Sequence, residues 1–271
     1  MSIVENMLRL FTSCIAALSI SASAQAADWR ALDPAQTLVI ETSKGTILVE
    51  MRPDLAPKAV ERIKLLAREG VYNGLLFHRV IDNFVGQTGN PNNQDGGVSR
   101  HPDLAPEFTF RIKAGDPHLI VRATSDAVEG FVGSTPFIGA QDLLDTNPLG
   151  RRAAGAYCPG VAGMGRQEAV TTANSEIFFM RQASRRLDGD YTVWGRAVKG
   201  LDVVRAMAVG EPPANPDRMI KVRVAADLPA AERPKVEVLN ERGPAFKALV
   251  DEVRAAKGAD FTVCDIEIPT R

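Results

Sequence analysis

The chain has 271 residues, of which 45% are hydrophobic and 24% charged, a balance typical of a globular protein and not of a disordered or fibrous one. Its 32 basic and 33 acidic side chains leave a net charge of −1. No overall field therefore attracts polyanions, and we expect neither nucleic acid nor a charged membrane surface as a partner.

Residues 1–26 have the pattern of an export signal. An apolar run at 10–20 is followed by small residues that end in Ala-Gln-Ala at 24–26, the small-x-small sequence that a signal peptidase accepts. The alternative is a buried or membrane-spanning helix, but the run is too short to cross about 30 Å of hydrocarbon. We expect cleavage after Ala26 and a periplasmic or secreted protein, whether translation starts at Met1 or Met7. No later run is long enough to span a membrane.

Cleavage at this position would change the number of cysteines. It removes Cys14 and leaves Cys158 and Cys264, an even pair in a compartment that permits oxidation. The pair predicts a disulfide, although two free buried thiols would produce the same sequence.

The mature chain reads as a short linker, 27–36, followed by one β-rich domain over 37–227. Two β-branched runs at 37–41 and 45–51 predict a hairpin, and helical spacing over 55–69 predicts an amphipathic helix. A second short helix is expected at 201–208 and a closing strand at 220–225. Between them, apolar runs alternate with Gly, Asn and Pro, which favours further strands at 75–81, 84–87, 118–123, 177–180 and 191–198.

Residues 228–271 have a different pattern. A linker with several prolines precedes a predicted helix at 244–257 and a predicted strand at 261–268. This segment is too short to bury a core of its own. We therefore expect it to be an extension that packs on the main domain.

One motif is specific. Residues 72–81 read Y-N-G-L-L-F-H-R-V-I, and Phe84 and Gln87 follow, which resembles the cyclophilin segment Y-x-G-x-x-F-H-R-x-I with its later F-x-x-Q. Further matches over 37–228 occur in family order: Gly96-Gly97, Glu107-Phe108, Phe178-Phe179 and Leu187-Asp188-Gly189.

The resemblance implies a mainly β fold, an eight-stranded antiparallel barrel capped by two helices, with its site on the outer face. It also implies a peptidyl-prolyl cis/trans isomerase that acts on Pro-containing polypeptides without metal or cofactor. We expect a monomer. His78 is assigned a structural part, and His78, His101 and His118 lack the spacing of metal ligands.

The resemblance also assigns the site residues. Arg79 is the catalytic cation, because a fixed charged donor can stabilise the prolyl nitrogen of a twisted amide. Gln87 would hold the substrate carbonyl. The expected substrate-binding residues are Phe84, Val85, Met164, Arg166, Phe179, Leu187 and Tyr191, the last standing where the family usually has histidine.

Some positions depart from the family pattern. Ile177 and Arg186 stand where glutamine and an aromatic residue are common, and Arg166 adds a second cation beside the groove. These changes predict weak binding of the inhibitor cyclosporin and a low rate. They also leave open a second function, a module that binds Pro-containing segments without useful turnover.

The resemblance is interrupted by an insertion at about 109–160, longer by roughly 35 residues than the family's loop. Loops longer than about 15 residues inside a compact domain usually have a function or their own packing. The insertion is expected to be either a lid or partner-binding flap, or an elaborated surface loop.

Overall fold

The structure, a computed structural model, describes residues 27–141 and 149–271. Its helices are α1 (Pro57–Arg68), α2 (Leu201–Arg205) and α3 (Pro244–Lys257). Its strands in chain order are β1 (Trp29–Ala31), β2 (Thr37–Thr42), β3 (Gly45–Met51), β4 (Arg79–Val80), β5 (Val85–Thr88), β6 (Phe110–Ile112), β7 (Leu119–Ala123), β8 (Ala127–Val132), β9 (Thr135–Ala140), β10 (Arg151–Gly155), β11 (Val161–Met164), β12 (Ile177–Met180), β13 (Val193–Lys199), β14 (Met219–Val224) and β15 (Glu237–Leu239).

Eight strands form one curled antiparallel sheet in the order β14-β2-β3-β13-β11-β12-β5-β4. Its two edges meet just before β4, where the Gly74 N–H donates to the Met219 carbonyl at 2.7 Å and the Phe77 N–H to the Asp217 carbonyl at 2.8 Å. These bonds satisfy backbone groups that an open edge would leave exposed. The predicted mainly β, eight-stranded fold is confirmed.

Helices α1 and α2 cover the interior of this sheet. Pro57 opens α1 at a position where its missing N–H costs no hydrogen bond. Ala59, Ile63 and Leu66, at helical spacing, are buried against the inward-facing residues of the sheet, and Val204 of α2 joins the same core. The burial of this apolar stripe is what fixes α1 on the sheet.

The insertion is an ordered layer and not a loop. Strands β6 to β10 form a second antiparallel sheet in the order β6-β10-β9-β8-β7. Phe131 and Phe137 of this sheet are fully buried in a second core, which also contains Val85 and Phe178 from the outer face of the main sheet. The expectation of a long loop insertion is therefore wrong in form, because the segment has its own strands.

The C-terminal segment completes the second core. The Phe246 ring of α3 packs edge-on against Phe131 at 5.4 Å, and Cys158 and Cys264 are joined by a disulfide. The strand expected at 261–268 is wrong. A 3-10 turn at Val263–Asp265 replaces it, closed by a capping box in which Thr262 and Asp265 bond each other's backbone.

The extension pairs instead with the start of the described chain. Strand β15 forms an antiparallel pair with β1, so the residues expected to be a linker, 27–36, contain a strand. The expected signal peptide, 1–26, lies outside the described residues. Among the residues that the structure describes, no helix is both long and apolar enough to span a membrane.

Candidate active site

Strands β4 and β5 bring Arg79 and Gln87 face to face. The two residues are cross-strand partners, and Arg79 Nη1 donates to Gln87 Oε1 at 3.0 Å. The tight connection between the strands is helped by Asn83, which takes the left-handed conformation (φ 54°) that asparagine tolerates better than most residues. The eight-residue spacing in the motif is thus converted by the hairpin into a direct contact.

Glu211 holds the other side of the guanidinium. Arg79 Nε donates to Glu211 Oε2 at 2.7 Å, and the Arg79 side chain is 28% exposed. Its Nη2 has no hydrogen-bond partner within residues 27–141 and 149–271. The arginine is therefore oriented by two neighbours and still presents N–H groups to the groove.

Gln87 is fixed by two carboxylates. Its Nε2 donates to Glu176 Oε1 at 2.7 Å and to Asp95 Oδ1 at 3.0 Å, and Asn90 donates to the second oxygen of Glu176. Burial raises the pKa of Glu176 against the opposing hydrogen bonds from Asn90 and Gln87. Because the amide nitrogen of Gln87 faces these acceptors, its oxygen faces Arg79.

An open groove of about 620 Å³ lies beside this pair, a size that accommodates a short peptide segment. One wall is apolar and aromatic. The Phe178 ring stacks on Tyr157 with centroids 5.7 Å apart and meets Tyr191 edge-on at 6.0 Å. The sequence-predicted residues that line the groove are Arg79, Phe84, Val85, Gln87, Arg166, Leu187 and Tyr191.

Two predicted substrate-binding residues are not in the groove. Phe179 and Met164 are both buried in the core between the sheet and its helices. Phe179 packs on Trp194 with ring centroids 6.0 Å apart. Successive side chains of a strand point to opposite faces, so Phe178 lines the groove and Phe179 cannot.

The same alternation corrects the position assigned to Ile177. Its side chain is fully buried in the core, and Glu176 is the residue that contacts Gln87 and lines the groove. The groove position that the sequence analysis assigned to Ile177, where glutamine is common in the family, is therefore occupied by Glu176. This position carries a carboxylate and not an apolar side chain.

Two glycines of β11 and its end make room for these groove residues. A Cβ on Gly163 would lie 2.4 Å from Cζ of Phe178, and one on Gly165 would lie 2.0 Å from Oε1 of Glu176. Both distances are shorter than any tolerated contact. The pattern Gly163-Met164-Gly165 thus keeps the surface of the strand flat under the Phe178 ring and the Glu176 carboxylate.

Two further arginines border the groove. The Arg166 guanidinium lies over the Tyr191 ring at 4.3 Å and forms an ion pair with Asp190 at 3.1 Å. The Arg186 guanidinium lies over the Phe84 ring at 4.9 Å. Each arginine covers an aromatic ring through a cation–π contact, and so the rim is more polar than an all-aromatic wall would be.

The sequence did not predict Asp95, Glu176 and Phe178, which line the groove, or Glu211, which holds Arg79. Glu211 is 132 residues from Arg79 along the chain, and no local pattern announces such a contact. The Phe178-Phe179 pair is part of the family match, but the sequence analysis assigned the wrong member of the pair, Phe179, to the groove. All four residues of Ile177–Met180 are apolar. Because polar and apolar side chains do not alternate, the sequence does not indicate which of them face outward.

His78 is placed behind the groove. It is buried, its Nε2 lies 3.3 Å from Asp95 Oδ1 and 3.8 Å from Glu176 Oε2, and burial lowers its pKa. These three side chains could together hold a metal ion, since their ligand atoms all lie within 4.8 Å of one another.

Comparison with known proteins identifies the family. A family model described as cyclophilin type peptidyl-prolyl cis-trans isomerase matches residues 37–225. A probable peptidyl-prolyl cis-trans isomerase of Brucella suis is 32% identical over 243 residues, covering 84% of this chain and 99% of the relative. A peptidyl-prolyl cis-trans isomerase of Schizosaccharomyces pombe is 29% identical over 67% of this chain and 94% of the relative.

A solved structure extends the likeness beyond the matched residues. Cyclophilin AquaCyp293 from Hirschia baltica superimposes with a TM-score of 0.82 and 31% sequence identity. The alignment covers 90% of this chain and 92% of the AquaCyp293 chain. The predicted family and enzyme class are confirmed. The chain belongs to the cyclophilin-type peptidyl-prolyl cis-trans isomerases.

Proposed function

We propose that the groove binds X-Pro segments of exported polypeptides and that Arg79 is the catalytic residue. The observation that carries this proposal is the Arg79–Gln87 pair, fixed at 3.0 Å beside an apolar wall of Phe84, Phe178 and Leu187. A proline ring needs an apolar surface, and the peptide group that rotates needs polar partners. The groove offers the apolar surface and the polar partners side by side.

The reaction moves no proton and breaks no bond. Rotation about an X-Pro bond must overcome about 20 kcal/mol of amide resonance, and unaided it takes tens of seconds. In the twisted amide the prolyl nitrogen regains a lone pair, and Arg79 donates to it more strongly than to the planar ground state. Only such a difference in binding lowers the barrier. Gln87 holds the carbonyl while the peptide plane turns, by moving one amide N–H from the exposed Asp95 carboxylate to the substrate oxygen.

The proposed setting is an exported, monomeric protein without nucleic-acid partner, produced by removal of residues 1–26. The Cys158–Cys264 disulfide supports export, because structural disulfides persist mainly in oxidising compartments. Export would place the groove among newly translocated chains, whose X-Pro bonds are still isomerising. Such chains are the proposed substrates.

A protease-coupled assay on a short X-Pro peptide tests the proposal. Wild-type protein should accelerate isomerisation, and Arg79→Ala should remove most of the acceleration while the circular dichroism spectrum is unchanged. Arg68→Ala is the matched control, since Arg68 forms an exposed ion pair with Asp227 at 2.8 Å, outside the groove. Full activity in Arg79→Ala would refute the assigned mechanism.

A second function is favoured by one observation. Arg79 is already paired with the carboxylate of Glu211, and an ion pair of this kind reduces the charge that the guanidinium offers to a substrate. If wild-type protein binds the peptide without accelerating its isomerisation, the groove is a recognition module for Pro-containing segments.

A further inference from the structure

We propose that His78, Asp95 and Glu176 form a binding site for a divalent transition-metal ion, and that the bound ion restrains Gln87 and slows the isomerase. The inhibitory effect of the ion rests on the function proposed above. The sequence-based expectation of no metal considered only the spacing of the three histidines, whereas this cluster contains one histidine and two carboxylates.

His78 is the first observation that points to a ligand. Its side chain is 3% exposed, and its Nε2 is in ion-pair distance of a carboxylate without the alignment of a full hydrogen bond among the described residues. A buried imidazole nitrogen that faces carboxylate oxygens in this way has the arrangement of a metal ligand. The Nε2 atom faces both carboxylates, with Asp95 at 3.3 Å and Glu176 at 3.8 Å.

The distances are close to those of a coordination shell. Bonds of about 2.0 to 2.2 Å to nitrogen and oxygen in a tetrahedral site separate the ligand atoms by about 3.4 Å. Both separations from His78 are near this value, and all three ligand atoms lie within 4.8 Å of one another. Asp95 is 62% exposed, so its carboxylate is free to close the remaining distance.

The ligand types indicate which ions fit. One imidazole nitrogen with two carboxylate oxygens suits zinc, cobalt or nickel, whereas magnesium and calcium prefer oxygen alone. The two carboxylates are acceptors of the same Gln87 amide nitrogen, which places their charges close together. A divalent cation would relieve that repulsion.

Occupancy would change the active site through Gln87. The amide nitrogen of Gln87 is held by Asp95 and Glu176, and its oxygen is thereby turned to Arg79. A metal ion bound to the two oxygens nearest His78, Asp95 Oδ1 and Glu176 Oε2, removes the Asp95 acceptor and leaves Glu176 Oε1 to the Gln87 amide. The amide is then held less firmly in the orientation that pairs it with Arg79, and we expect isomerisation to slow.

The test measures metal binding without a substrate. Untagged protein without residues 1–26, and therefore without Cys14, is titrated with Co²⁺ by visible absorption and with Zn²⁺ against a chromophoric chelator. We expect one equivalent to bind. Asp95→Asn, an exposed change that spares the core, and His78→Gln should each weaken binding at least about tenfold.

His101→Gln is the matched control. His101 also contacts a carboxylate, at 2.9 Å from Glu69, but it lies outside the cluster and its loss should leave metal binding unchanged. Absence of one-equivalent binding, unchanged binding in Asp95→Asn, or an equal loss in His101→Gln would each overturn the site.

Isomerase assays with and without Zn²⁺ then test the effect on Gln87. Zn²⁺ should slow wild-type protein and leave the rate of Asp95→Asn unchanged. A metal that binds in the cluster without slowing an active enzyme would overturn the regulatory part. If metal-free protein has no activity, the proposed function fails while the binding result still stands.

Discussion

Arg79 is oriented before a substrate arrives. Glu211 fixes its Nε and Gln87 its Nη1, so little reorganisation is needed when the amide twists, and preorganised donors are the most effective kind in a catalytic site. The ion pair with Glu211 also partly neutralises the positive charge of Arg79. Glu211 is thus a positioning residue in this account, acting on the substrate only through Arg79.

Arg186 should weaken the binding of apolar ligands at the rim of the groove. Its guanidinium lies over Phe84 where the family commonly has a flat aromatic side chain, and an apolar ligand must strip water from this charge to pack there. We expect cyclosporin to bind weakly to wild-type protein and at least about tenfold more tightly to Arg186→Trp, a gain of about 1.4 kcal/mol. Calorimetric titration measures both. Sub-micromolar affinity of the wild type would contradict the role given to Arg186.

Sequence and structure can be compared residue by residue. Arg79, Phe84 and Gln87 were predicted from a motif with fixed spacing and Leu187 from a separate family match, and all four side chains line the groove. Phe179 was misplaced because a fully buried strand has no polar alternation from which its facing can be read. Contacts between distant segments, such as Arg79 with Glu211, have no local signal at all.

At the scale of elements, β11 and β12 shape the groove together. Gly163 and Phe178 are cross-strand partners, and the ring lies across the glycine where a side chain would otherwise stand. Close approach of this kind is one reason for glycine inside a strand. The apolar wall therefore depends on a residue that does not itself contact the substrate.

This dependence is testable with two alanine variants. Gly163→Ala should displace the Phe178 ring, cost about 1 to 3 kcal/mol of stability and lower kcat/KM about tenfold, equivalent to about 1.4 kcal/mol. Gly86→Ala is the control, because its Cβ would meet only ordinary contacts at 3.7 Å. Denaturant unfolding and the isomerase assay measure both effects. Equal effects of the two substitutions would contradict this view of Gly163.

The elements that sequence analysis mispredicted are those fixed by distant partners. Residues 261–268 have the alternation of a strand, yet Cys264 is tied to Cys158 and the Thr262–Asp265 capping box closes a turn. Within 109–160, the apolar runs were visible, but their pairing into a sheet depends on the second core. The hairpin β2–β3 and helix α1, whose signals are local, were predicted correctly.

At the scale of the molecule, two cores share the main sheet. Its inner face packs on α1 and α2, and its outer face packs on the insertion sheet and the C-terminal segment. A partly buried ion pair links the two layers: Arg30 of β1 donates to Glu50 of β3 at 2.6 and 2.9 Å, and the Ser134 N–H donates to Glu50 at 3.0 Å. Burial would raise the pKa of Glu50, but the bonds from Arg30 hold it below its ordinary value.

The disulfide gives the prediction for the whole molecule. It closes a loop with a sequence separation of 106 residues, for which the chain-entropy estimate is up to about 4.7 kcal/mol. Reduction should lower the melting temperature by on the order of 10 °C and expose the C-terminal segment to proteolysis before the main sheet. Cys264→Ser should reproduce both effects.

Calorimetry with and without reductant, followed by limited proteolysis, measures them. Unchanged melting on reduction would contradict the stabilising role of the bond. Recovery of the protein from cells with Cys158 and Cys264 both alkylated without reductant would show that the bond does not form in the cell.

In the proposed function, the groove turns over X-Pro bonds through Arg79 and does not merely bind them. Exchange NMR on a short X-Pro peptide with a small fraction of protein separates the two. We predict cis–trans exchange peaks with wild-type protein and their loss with Arg79→Ala, while line broadening shows that the variant still binds the peptide. Broadening without exchange peaks in the wild type would contradict the claim.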